Sequence, residues 1–331
     1  MGDPTVYDVA SRAGVSIATV SRVMNTPEMV REGTRQKVLL AIDELQYVPK
    51  AEAFFRARKL VGRIGVLTPF FTHSSFIQRM RGIAAAIKNI PLELVIYPVD
   101  SIQRLEEYLA MLPITKRLDG LIIISLPITE NDAQRLLATK LETVLIEFEH
   151  PSLSSIQVDD YNGGALAAEY LIKKGHQNCA FIGSGELPEY SMHPEDRRLS
   201  GFRQVLESNG SDLPPEMVRF PAMSYKAIRK EFRQLIQLPH SPTAIFAATD
   251  DLAIRILRAA HESSVTVPQE MAIIGFDDID MAEQIGLTTI SQSLEESGRM
   301  AVELLLAHLN DPTRSVQSNK LILKVITRET A

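Results

Sequence analysis

The sequence predicts an all-α N-terminal helix-turn-helix unit followed by a two-lobed α/β core with mostly parallel sheets. Three observations carry this reading. In the first 46 positions apolar residues recur at helical spacing, and two helix patterns meet at a glycine turn. From Arg63 onward short strand-like apolar runs alternate with helical patterns, the order that builds parallel sheets through crossover helices. Finally, 331 residues exceed what one hydrophobic core usually organises.

The first helix follows Thr5, carries Val6, Val9 and Ala10, and stops at Gly14. Ser16 has the chemistry of an N-cap for a second helix whose apolar stripe is Ile17, Val20, Val23 and Met24. A third runs from about Thr34 through Val38, Leu39, Ile42 and Leu45, with Gly33 and the Thr34 hydroxyl at its start. Three helices with a tight glycine turn in so short a segment are expected of a helix-turn-helix. Pro49 stops the third helix, and residues 47–62 read as an alanine-rich, basic linker able to become helical.

In the core, strands are expected at Ile64–Leu67, Leu92–Tyr97, Leu121–Ser125, Val144–Phe148 and Ile156–Val158, then at Ala180–Gly183, Val218–Phe220, Ala244–Ala248, Ala272–Phe276 and Thr288–Ile290. Helical patterns at 77–88, 165–174 and 253–263 fill gaps between them. The domain expectation is a headpiece at 1–46, a hinge at 47–62 and a core at 63–331. One lobe would take about 63–160 plus 292–320, the other about 161–291 plus 321–331. Clefts at strand carboxyl ends are where such folds bind small ligands.

Composition excludes several classes. Hydrophobic residues at 45% and charged residues at 23% describe an ordinary globular chain. The longest nearly uncharged apolar stretch, 120–128, is far short of the roughly 20 residues a bilayer requires. No cationic-then-apolar pattern opens the chain, so a cytoplasmic protein without membrane partners is expected. A single cysteine, Cys179, gives no disulfide framework and no thiolate zinc site. The seven histidines are scattered, Gly183–Ser184–Gly185 lacks the third glycine of a dinucleotide fingerprint, and there is no G-x-S-x-G elbow. No metal, cofactor or catalytic set is expected, and the chain reads as a non-enzyme.

Net charge by itself argues against a polyanionic partner, being −6. The average conceals an asymmetry. Residues 1–60 carry nine Lys or Arg against seven Asp or Glu, whereas the remainder carries 26 against 34. A weakly basic module on an acidic core fits an appended nucleic-acid unit.

The strings TVYDVASRAGVSIATVSRVMN at 5–25 and TRQKVLLAIDELQYVP at 34–49 resemble the DNA-binding headpiece of the LacI/GalR family of bacterial transcription regulators. The likeness continues in family order through RGIAAAI (81–87), RLDGLIIIS (117–125), HPSLSSIQVDDYNGG (150–164), KKGHQNCAFIGS (173–184), RLSGF (198–202), TAIFAATDDLAI (243–254), VPQEMAIIGFDD (267–278) and GRMAVELLL (298–306). It implies a periplasmic-binding-protein-like core and a repressor of carbohydrate-utilisation genes. Such a protein is a homodimer, with a tetramer as alternative, that binds double-stranded operator DNA and is controlled by a small effector, a sugar or sugar derivative. The competing readings are a solute-binding receptor or an α/β enzyme without DNA function; the competing effector is a purine or other metabolite acting as corepressor.

A helix-turn-helix lays its second helix in the major groove, with residues near the N-terminus of that helix facing base edges. Ile17 and Ala18 would read there. Both are apolar, able to meet a thymine methyl but not to form bidentate hydrogen bonds. Hydrogen-bonded discrimination then falls to Arg22, with Ser16 or Ser21. The resemblance places Thr5, Tyr7, Thr19, Asn25 and Thr34 on phosphates, although Thr5, Ser16 and Thr34 are equally explained as helix caps. At the hinge, which Tyr47 opens, family members carry Asn after the Tyr-x-Pro and then Ala-Arg-x-Leu, whose leucine wedges into the minor groove. Here the ungapped equivalents are Lys50, Phe54 and Arg56. Either Phe54 or Phe55 replaces the wedge, or Arg56 enters a narrow groove, or the hinge no longer kinks DNA; the plain alternative is a solvated basic linker.

For the effector, Asp250 and Asp277 follow strands and would sit at the cleft, supplying the polar complement that buried sugar hydroxyls need. The resemblance adds Arg198 beside Asp277, and Ser74, Ser75 and Phe70 where the family varies. Glu147 and Phe148 close the fourth strand, Met223 takes a position often filled by a stacking aromatic, and Asp196 one that is sometimes arginine. Solvated turns at Asp277 and core packing at Met223 are the competing explanations.

Overall fold

The computed structural model describes residues 5–25, 29–45, 62–185 and 188–331, with the side chains of Met24, Asn25 and Asp43 excepted. The chain divides into two compact units, Met1–Gly62 and Arg63–Ala331.

In the first unit, α1 (Val6–Ala13), α2 (Ile17–Asn25) and α3 (Glu32–Leu45) enclose a small core of Val9, Ala10, Val20, Val23, Val38 and Ala41. Gly14 ends α1 with φ 66°, a left-handed conformation that glycine adopts without Cβ strain, and so permits the tight turn into α2. The Asp8 carboxylate accepts from the Thr5 N–H at 2.7 Å and the Thr5 hydroxyl at 2.6 Å, while Ser16 Oγ accepts from the Thr19 N–H at 3.2 Å. Three sequence expectations are corrected here. Helix α3 begins at Glu32, so Gly33 and Thr34 lie inside its first turn and do not cap it. Ile17 and Leu39 are exposed and do not belong to the buried stripes. A small three-helix core covers only one narrow face of each helix, and these two side chains fall outside it.

The second unit contains two six-stranded sheets. The first has the order β11-β5-β4-β3-β1-β2, from β1 (Gly62–Thr68), β2 (Leu92–Pro98), β3 (Gly120–Ile124), β4 (Glu142–Ile146), β5 (Ser154–Gln157) and β11 (Ser318–Lys320). The second has the order β12-β10-β9-β8-β6-β7, from β6 (Cys179–Ile182), β7 (Val218–Arg219), β8 (Ala244–Ala247), β9 (Ala272–Asp277), β10 (Thr288–Ser291) and β12 (Lys324–Ile326). The described pairings of both sheets are parallel except β10 with β12. The three-residue strands β11 and β12 are too short to leave a period-two pattern, and the sequence shows neither. Strand β4 ends at Ile146, two residues before the sequence places its end, which leaves Glu147 and Phe148 in a turn.

Helices cover both faces of each sheet, as buried parallel strands require. In the first lobe α4 (Ser74–Ile87) packs on α12 (Leu294–Asn310) so closely that a Cβ at Gly82 would lie 1.9 Å from the Glu295 carbonyl oxygen. The second lobe repeats this pairing with α7 (Asp160–Lys173) on α8 (Pro194–Ser208). No helix among the described residues is long and apolar enough to cross a membrane. The two lobes touch across their cleft: Arg81 pairs with Asp280 at 2.7 Å, Ser74 Oγ donates to Asp251 at 3.3 Å, and the Met192 N–H donates to the Ser125 carbonyl at 3.1 Å.

Candidate functional site

The N-terminal unit presents one side of its helix-turn-helix to solvent. Ile17, Ala18 and Arg22 of α2 are exposed, Thr19 and Ser21 are half-buried, and Tyr7 of α1 stands 68% exposed. The Val20 and Val23 side chains point into the core, so the helix period leaves positions 17, 18, 21 and 22 outward. The Ser16 hydroxyl lies 2.9 Å from that of Thr19, which holds both at the helix start. Thr5 is committed to Asp8, so its capping role and its surface position coexist. Tyr47, Lys50, Phe54 and Arg56 lie outside the described residues, as does the Asn25 side chain.

The core's cleft encloses about 270 Å³, lined by residues from both lobes. Its floor is a hydrogen-bonded run of side chains that no sequence window contains. Ser125 donates to Glu147, which also receives Arg79 Nη2. The same Nη2 donates to Gln292 Oε1 at 2.7 Å, and Gln292 Nε2 donates to Asp277 Oδ1 at 2.5 Å. Opposite stands Arg198, 3% exposed, with Nε on Asp160 at 2.9 Å, Nη1 on the Ala248 carbonyl at 2.6 Å, and its guanidinium 3.6 Å from the centre of the Phe276 ring. Glu195 Oε2 accepts from the Ser184 N–H at 2.5 Å.

Burial governs the electrostatics. It pushes the Asp277 carboxyl up to about 7, against the opposing pull of Arg198 and the Gln292 hydrogen bond. Burial also raises Glu195 and Asp160, the latter partly offset by Arg198. For Arg198 itself burial disfavours the charge, but Asp160 and Asp277 outweigh it and hold the guanidinium above its ordinary value. Two polar atoms on the lining have no partner among the described residues: Arg79 Nη1 and Ser184 Oγ. An unmatched buried donor costs about 1–3 kcal/mol, which a ligand's acceptor would offset.

The backbone carries a parallel signal. Phe70 (φ 43°), Ser125 (φ 53°), Glu147 (φ 67°) and Asp277 (φ 122°) are non-glycine residues with positive φ, and all four line the cleft. Such conformations cost of order 1–3 kcal/mol each and persist only where the surroundings impose them, which is typical of ligand clamps.

Of the sequence-expected cleft residues, Phe70, Ser75, Glu147, Arg198, Met223 and Asp277 line the cavity. Met223 also packs partly against the second lobe's core. Four expectations are corrected. Asp250 is fully buried behind the wall, accepting from the Ile279 N–H at 2.9 Å and the Thr289 hydroxyl at 2.5 Å, so it braces the strand ends; its neighbour Asp251 lines the cavity instead. Asp196 is exposed one position past Glu195, because the first turn of α8 points the two side chains apart. Ser74 bridges to Asp251 without lining the cavity, and Phe148 faces an adjacent chamber. The sequence reading missed Arg79, Ser125, Ser184, Glu195 and Gln292. For Arg79 a signal existed: an arginine among Phe76, Gly82 and Ile83 on the apolar face of α4.

Comparison with known proteins bears on both units. The family model described as bacterial regulatory proteins, lacI family, matches residues 5–50, and that of the periplasmic binding protein-like domain matches 168–331. Catabolite control protein A of Priestia megaterium is 31% identical over 93% of both chains. The ribose operon repressor of Escherichia coli (strain K12) is 31% identical over 98% of both. Among solved structures, the lac repressor dimer bound to operator and the anti-inducer ONPF aligns over 99% of both chains with a TM-score of 0.72 and 27% identity.

Proposed function

Because the chain belongs to the lacI family of bacterial regulatory proteins, we propose that it is a homodimeric repressor of carbohydrate-utilisation genes whose operator affinity is set by a sugar-like effector in the core cleft. In this reading residues 1–46 bind DNA, 47–62 form the hinge and 63–331 bind effector and dimerise, in the cytoplasm and without catalysis. The observation that carries the effector half is the buried chain Ser125–Glu147–Arg79–Gln292–Asp277, which spans both lobes and leaves Arg79 Nη1 unmatched among the described residues. Groups from two lobes that converge on one ligand let that ligand favour the closed arrangement. Coupling to DNA then follows from the difference in affinity between the two lobe arrangements, typically about 1–3 kcal/mol.

On the DNA side, the exposed α2 face supports Ile17 and Ala18 against a thymine methyl or sugar and Arg22 as the hydrogen-bonding reader, with Thr5, Tyr7, Thr19, Asn25 and Thr34 toward phosphates. A dimer is required because one small module offers limited contact. Gel retardation of a promoter fragment from the protein's own locus tests this. Retardation is expected for the full chain and lost on deletion of residues 1–46, and a panel of sugars should release the fragment without being turned over. Retention of salt-sensitive DNA binding by the deletion variant would refute the assignment.

A further inference from the structure

The cleft does not end at the cavity just described. A second chamber of about 510 Å³ adjoins it, sharing Glu147, Met192 and Pro194 as a common wall. Two short segments divide the chambers by alternating their side chains. Glu147, in its left-handed turn, faces both chambers, and the next residue, Phe148, faces only the second. Along 193–195, His193 lines the second chamber, Pro194 both, and Glu195 only the first. The turn at Phe148 is held in place, since Gln157 Nε2 donates to its carbonyl at 3.1 Å.

We propose that this second chamber is a glycosyl subsite, so that the effector is a neutral glycoside of at least two rings, one in each chamber. The inference rests on the reading of the cleft as a carbohydrate site. Size is the first argument. Small-molecule sites span about 300–1,000 Å³; the first chamber falls below that range at about 270 Å³, and the two chambers joined fall within it. Lining chemistry is the second. Phe148, Val158 and Met192 offer the apolar surface that one face of a sugar ring covers, and Gln157, Glu149 and Asp159 offer polar partners for its hydroxyls.

Charge is the third argument, and it decides against a phosphorylated sugar. Arg197 and Lys320 line the chamber beside Glu147, Glu149, Asp159 and Asp160, and Lys320 is already paired with Asp159 at 3.1 Å. With Glu147 paired to Arg79, Asp160 to Arg198 and Asp159 to Lys320, the lining offers a dianionic phosphate no surplus of cations to replace its hydration. An uncharged ring needs none.

Isothermal titration of the full chain with glucose, galactose and ribose, with maltose, cellobiose and lactose, and with glucose 6-phosphate tests the proposal. At least one disaccharide is expected to bind about tenfold or more tighter than its component monosaccharides, and glucose 6-phosphate more weakly than glucose. Ser318→Trp places an indole in the second chamber from an exposed position on β11. It should erase the disaccharide's advantage while leaving monosaccharide binding and the melting temperature unchanged. Monosaccharides binding as tightly as every disaccharide, an advantage that survives Ser318→Trp, or preferred binding of the phosphate would each overturn the subsite. Absence of binding by all of these sugars would instead overturn the carbohydrate reading beneath it.

Discussion

The two units of this chain hold their candidate functional groups in opposite ways. On α2 Ile17, Ala18 and Arg22, assigned to DNA, stand in solvent, and the buried Val20 and Val23 beneath them fix the helix. In the core cleft the assigned groups are themselves buried, and they hold one another through Arg79, Glu147, Gln292, Asp277, Arg198 and Asp160. An exposed reading face can lose a side chain with little cost to folding, because water replaces the missing contact. A desolvated charge network cannot, because each removal strands a partner away from water. Function and stability are therefore separable in the first unit and entangled in the second.

The largest effect should come from Arg198→Met. It leaves Asp160 and Asp277 without their cation in a buried site, and removal of one partner from such a set costs about 3–5 kcal/mol. Denaturant melts of the core should show the loss, together with loss of sugar-induced stabilisation. A melt unchanged from wild type would erase the contrast between the units. Next, Arg22→Ala should weaken operator binding by about 5- to 150-fold, the range for one base-reading side chain, with an unaltered melt and unaltered ligand titration; gel retardation and calorimetry together check it. Within the N-terminal unit, Val20→Ala removes buried methyl groups from a core with few others and should destabilise it by about 2 kcal/mol. Thermal unfolding followed by circular dichroism on the isolated segment 1–46 against its variant would register this.

The last effect concerns pH. Burial lifts Asp277 from its ordinary 3.8 to about 7. Between those values the folded protein holds a proton that the unfolded chain has released, so stability from this group is fully present below about pH 4 and is lost as pH rises toward 7. Asp277→Asn should flatten that decline. The difference in melting temperature between variant and wild type should grow in the variant's favour from pH 4 to 7 and then level off. A difference independent of pH would show that Asp277 does not titrate in that range.

Much of this protein could be read from sequence alone, and the physical reason is locality. Helical spacing and the Gly14 turn place α1 and α2, and most core strands of four or more residues are visible as apolar runs, whereas β5 (Ser154–Gln157) begins two polar residues before the run expected at Ile156–Val158. Even the exposure of Ala18 and Arg22 follows from the helix period once Val20 and Val23 are assigned inward. Arg198 and Asp277 were legible as well, through the family strings that contain them.

What only the tertiary structure decided is which polar groups meet. Arg79 and Gln292 lie 213 positions apart and share a hydrogen bond, a relation that no window of sequence can express. Neighbouring carboxylates were the hardest to tell apart. Asp250 braces β9 and β10 from behind while Asp251 lines the cleft, and Asp196 faces solvent while Glu195 is buried. Each pair differs by one position, and a single residue's rotation about a helix start decides which of the two faces the ligand. Local pattern sets the elements; the left-handed turns at Ser125, Glu147 and Asp277, which long-range packing imposes, set the site.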